Sequence, residues 1–70
     1  CWFETEHGAV LVDFKSDVIK GGTEQIRTEL AARYRLQLNS YAMAIEKAAG
    51  RTVVSRIIWL IRNKMAIEID

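Results

Sequence analysis

Residues 9 to 17 read AVLVDFKSD, an apolar run closed by an acid, Asp13, and an amine, Lys15, one residue apart. In a strand, alternate side chains share a face, so Leu11, Asp13 and Lys15 stand on one side and Val10, Val12 and Phe14 on the other. At a rise of roughly 3.3 Å per residue, the two charged groups leave the backbone about 7 Å apart. A carboxylate is a natural ligand for a hard divalent cation, and an ammonium beside it can orient an attacking water or stabilise negative charge in a transition state. The competing reading is a solvated strand end with a surface ion pair worth 0 to about 1 kcal/mol. Further along, Gln37 and Tyr41 lie four apart in a stretch rich in helix formers, which puts both on one helical face.

The elements that would position these residues can be read from turn signals and periodicity. Residues 2 to 6, WFETE, and the run 9 to 15 read as a β-hairpin turning at His7-Gly8. The loop 16 to 22 contains Gly21-Gly22, and Thr23 is the expected N-cap of a helix. Ile26 and Leu30 form one apolar stripe, and Leu38, Ala42, Ile45 and Ala49 form another that does not continue its phase. The spacing therefore predicts a break near Tyr34 to Leu36, with Tyr34 packing there, and a second, longer helix from about Leu36 to Ala49 capped by Gly50. Thr52 to Ile61 reads as a central strand covered on both faces, Arg62 to Lys64 as a turn, and Met65 to Asp70 as an edge strand. The order ββααββ predicts an α/β fold: β-hairpin, helical crossover, β-hairpin, with a parallel central pair in a mixed sheet and helices packed on it.

Seventy residues make one domain, and a chain of this size buries only about 60% of the surface its unfolded form exposes. The composition, 50% hydrophobic and 27% charged, is that of a folded domain. One cysteine and one histidine exclude an internal disulfide and the usual zinc cluster, and Cys1 and His7 are expected to be inert. A formal charge of +1 excludes nucleic-acid binding driven by net charge. The longest apolar run, Ile57 to Ile61, is far below the roughly 20 residues of a membrane-spanning helix, so no membrane partner is expected and the cytoplasm is the default location. The chain opens in mid-pattern without an initiator methionine, as a piece of a longer protein would.

Taken together, DFK at 13 to 15, RYRLQLNSY from Arg33 to Tyr41 and AIEKAAG at 44 to 50 resemble the C-terminal nuclease module of RecB-type and AddA-type helicase-nucleases, more closely the AddA type. That module belongs to the PD-(D/E)XK superfamily, so the resemblance implies part of a restriction-endonuclease-like fold. It also implies a Mg²⁺-dependent nuclease acting on DNA in double-strand-break processing. Asp13 and the backbone carbonyl of Phe14 would ligate the metal, Lys15 would serve the attacking water, and Gln37 and Tyr41 would hold Lys15 or the DNA strand. Helicase domains and a second nuclease subunit would accompany the module, although no P-loop, and hence no ATP site, occurs here.

The family pattern also has a metal-binding aspartate on the preceding strand and a histidine upstream, and neither is matched: Glu4 and Glu6 fall at the wrong positions. Little or no nuclease activity is therefore expected from the chain alone. Arg33 and Arg35 are candidates to approach phosphate, whereas Trp2 and Trp59 should serve strand packing. The open edges of an incomplete sheet would permit a homodimer. The rival expectation is a non-catalytic interaction module in which D-x-K is incidental. The two are separated by geometry: the nuclease assignment requires Asp13 and Lys15 to meet the face of the helix that carries Gln37 and Tyr41.

Overall fold

The computed structural model describes residues 1–70 as a small α/β domain with one mixed four-stranded sheet and one helix. The elements are β1 (Trp2–Thr5), β2 (Gly8–Lys15), α1 (Thr23–Ala49), β3 (Val53–Leu60) and β4 (Met65–Ile69). The sheet order is β1-β2-β3-β4, with β2 and β3 parallel and both outer pairs antiparallel. This is the expected crossover arrangement. No helix is long and apolar enough to cross a membrane.

The expected pair of helices is a single continuous one. Its buried residues are Ile26, Leu30, Leu38, Ala42 and Ile45, and half-buried Tyr34 packs against the same core. Tyr34 fills the position four after Leu30 and four before Leu38, so the stripe runs unbroken through the predicted break. At 100° per residue each step of four advances about 40°, which is why the two apolar segments look out of phase although the helix does not bend. The N-cap is Gly22 rather than Thr23, with the Gln25 side chain accepting a hydrogen bond from the Gly22 N–H at 3.3 Å. Gly50, at φ 68°, closes the helix in the left-handed conformation and donates its N–H to Glu46.

Cross-strand partners share a face, so the register sorts the sheet. Ala9, Leu11, Ile58, Leu60, Ile67 and Ile69 face α1 and form the core with its apolar stripe. Ala9 pairs with Val53 but Val10 pairs with Ser55, leaving one extra residue on β3. This bulge shifts the alternation, so Val53 as well as Ile58 can point to the helix. The opposite face is not covered: Phe3, Phe14 and Val54 are each about half exposed. The apolar run of β3 therefore reflects a central position between β2 and β4 with one covered face, not two.

The first hairpin turns one residue earlier than the sequence predicts, at Glu6-His7, with Thr5 paired to Gly8. Thr5 Oγ1 holds it, donating to Gly8 O at 2.8 Å and accepting from His7 N at 3.2 Å. Gly8 opens β2 at φ 143°, and a Cβ there would lie 2.7 Å from both Thr52 O and Val54 Cγ1. Glycine is required because the backbone passes close to β3 in a conformation open only to it. Gly8→Ala should lower stability by on the order of 1–3 kcal/mol, read as a drop in the thermal or denaturant midpoint. An unchanged midpoint would show that the contact with β3 relaxes freely.

Candidate functional site

Asp13 and Lys15 lie at the C-terminal end of β2, on the face that carries Ala9 and Leu11 and therefore on the side covered by α1. The end of the strand is fixed by the bond from Ile61 N to Lys15 O at 3.0 Å, one residue beyond the Lys15–Leu60 pair. Lys15 Nζ stands 3.2 Å from Asp13 Oδ2, and the two side chains are 20% and 21% exposed, so the pair is more shielded than an ordinary surface ion pair. The same ammonium donates to Gln37 Oε1 at 2.9 Å and lies 4.4 Å from the centroid of the Tyr34 ring. Gln37 is 22 residues away in sequence, so the contact is made by the fold.

Three of the four sequence-predicted site residues, Asp13, Lys15 and Gln37, thus converge. Tyr41 follows Gln37 by one turn on the same stripe, is 44% exposed and takes no part in these contacts. Arg33 and Arg35 are drawn into ion pairs, Arg33 with Asp17 at 2.8 Å and Glu29 at 3.2 Å, Arg35 with Asp70 at 3.9 Å. His7 sits in the exposed turn, 3.4 Å from Glu6, and Cys1 is an exposed free thiol.

One atom in the cluster is unsatisfied. Asp13 Oδ2 is buried and receives no hydrogen bond, since the 3.2 Å approach of Lys15 is a charge contact without hydrogen-bonding geometry. An acceptor oxygen in that state is suited to a cation. The surrounding donors are nevertheless too few: no group of three or more His, Cys, Asp or Glu side chains is placed to hold a metal ion. One carboxylate with an ammonium beside it does not make a cage for a resident divalent ion. The concave parts of the surface lie elsewhere, along Glu24 to Arg35 of α1 and the end of β4.

Two residues that sequence reasoning passed over complete the cluster. Tyr34 donates its hydroxyl to Asp17 Oδ2 at 2.7 Å, and Arg33 donates to the same oxygen at 2.8 Å. The Tyr34 hydroxyl first, with Arg33 beside it, holds the Asp17 carboxyl below the usual carboxylate range despite partial desolvation. The same hydrogen bond raises the Tyr34 phenol and the Arg33 guanidinium above their ordinary values. A signal was present: Tyr34 stands midway between Leu30 and Leu38, and an acid follows Lys15 by two residues. Because the Asp17 value is depressed, its contribution to stability is complete above the unfolded value of 3.8 and is lost as pH falls through the lower folded value. Asp17→Asn should therefore flatten the acid limb of a stability–pH curve below about pH 4, where the native chain loses stability with each protonation. An acid limb of unchanged steepness would remove Asp17 from that role.

No family model matches the chain. Curated relatives do. Over 69 residues, 99% of the chain, it is 38% identical to the AddA subunit of the ATP-dependent helicase/nuclease of Clostridium novyi (strain NT). It is 35% identical over 74 residues to the corresponding protein of Bacillus thuringiensis (strain Al Hakam), and 35% identical over 68 residues to that of Thermoanaerobacter sp. (strain X514). The chain spans only 5% to 6% of the length of these relatives. It is therefore similar, from end to end, to one short stretch of AddA helicase/nuclease subunits.

Proposed function

We propose that the chain is part of the nuclease domain of an AddA-type helicase-nuclease, with Asp13 and Lys15 as the carboxylate and amine of its D-x-K site. The observation that carries this is the position of Lys15 Nζ, 3.2 Å from Asp13 Oδ2 and 2.9 Å from Gln37 Oε1, on the helix-covered side of the sheet. A strand pair and a helical amide that meet only through the fold are what a catalytic ammonium needs for a fixed position. The naming of the relatives as helicase/nuclease subunits supports the same reading.

In this proposal Asp13 and the Phe14 carbonyl are two ligands of a Mg²⁺ site whose remaining ligands come from outside these 70 residues. The ion would supply charge neutralisation at the phosphodiester and activation of a water. Lys15 carries a positive charge at the rim of the sheet for a phosphate oxygen or the attacking water, and Gln37 orients it. Tyr41, exposed on the same stripe, is left to contact the DNA strand. The substrate is DNA, the partners within the longer protein's complex are its helicase domains and a second nuclease subunit, and the edges of β1 and β4 give a route to a homodimer.

Two expected outcomes test this. The purified chain with Mg²⁺ or Mn²⁺ should not cut single-stranded DNA, because the donor set is incomplete. Cleavage abolished by Asp13→Ala would show the site to be whole. In the longer polypeptide, Lys15→Ala should lower the rate of DNA cleavage on the order of 10²- to 10³-fold, the cost typical of removing one preorganised charge-stabilising donor. Gln37→Leu, which leaves the amine and removes only its tether, should cost less. Equal activity of the Lys15→Ala protein would leave the chain as a non-catalytic interaction module.

A further inference from the structure

Lys15 is held by more than its two polar partners. Its ammonium lies 4.4 Å from the centroid of the Tyr34 ring, within the range in which an aromatic quadrupole attracts a cation. That ring is fixed at both ends. Its body packs against the core between Leu30 and Leu38 of α1, and its hydroxyl donates to Asp17 at 2.7 Å. Asp17 is held in turn by Arg33 at 2.8 Å, and Arg33 by Glu29 one helical turn back at 3.2 Å. Asp17 lies two residues beyond Lys15, just past the end of β2, so the tether joins the loop that follows the site to the helix that crosses it.

We propose that Tyr34 and Asp17 are positioning residues for Lys15, in which the Asp17–Tyr34 hydrogen bond sets the ring against which the ammonium rests. The ammonium then has three fixed neighbours: the Asp13 carboxylate, the Gln37 amide oxygen and the Tyr34 ring. Asp13 and Gln37 alone leave a four-carbon side chain free to swing about the line between them, and the ring closes that freedom. The functional meaning of the device rests on the nuclease reading of Lys15. Its existence does not.

The test is therefore made on the chain itself, without DNA. A proton on the Lys15 ε-carbon sits over the Tyr34 ring and should resonate upfield of an ordinary lysine, with a nuclear Overhauser contact to the ring protons. Tyr34→Phe keeps the ring and loses the tether, and Asp17→Ala loses the acceptor. Each should reduce the upfield displacement by at least half while the amide spectrum of the sheet stays in place. Asp17→Asn, whose amide oxygen still accepts from the phenol, should keep most of it. A merely structural Tyr34 would leave the Lys15 signal unmoved in Tyr34→Phe, and that result overturns the proposal. So does the absence of the contact in the unsubstituted chain, which needs no variant to fold. Because the readout is independent of cleavage, an inactive site and an unpositioned lysine are told apart.

Discussion

The structure around the site depends on one ammonium group kept among a carboxylate, an amide oxygen and an aromatic face. Lys15 Nζ meets Asp13 Oδ2 at 3.2 Å, Gln37 Oε1 at 2.9 Å and the Tyr34 ring at 4.4 Å, and each partner is delivered by a different constraint. Strand alternation puts Asp13 beside Lys15. The crossover brings α1 onto the same face as both. Helical spacing places Tyr34 and Gln37 three apart, on neighbouring positions of one surface. A charge so shielded must be satisfied, and here it is satisfied from three directions.

The same arrangement shows what the chain lacks. Asp13 keeps a buried oxygen without a donor, and no second carboxylate or imidazole stands near enough to share a cation with it. The sheet face turned away from α1 exposes Phe3, Phe14 and Val54. A parallel strand pair usually has both faces covered, and β2 and β3 have one. Incomplete coordination and incomplete burial agree with a chain that matches only a twentieth or so of its relatives' length.

Much of the fold was legible because strand alternation and glycine punctuation act locally. The four strands, the parallel central pair and the Gly50 cap follow from them, as does the shared face of Leu11, Asp13 and Lys15. The parts not legible depend on contacts made in three dimensions. Tyr34 read as a break because its polar tip disguised an apolar stripe position, and only the partner of its hydroxyl, Asp17, explains why a tyrosine sits there. The bulge at Val54 is set by the close pass of Gly8, which no pattern within β3 reveals. The run Ile57 to Ile61 could not show whether its second face meets a helix, since an apolar run looks alike in both cases. At the site, Asp13, Lys15 and Gln37 were legible from spacing and resemblance, whereas Tyr34 and Asp17 required the side chains to be placed.

The most direct measurement is DNA cleavage by the longer polypeptide carrying Asp13→Asn, with its ATP hydrolysis measured alongside. The substitution keeps shape and removes only the charge beside Lys15. Loss of cleavage with ATP hydrolysis intact is the expected result. Cleavage at the unsubstituted rate would contradict the assignment of this strand end as the nuclease site.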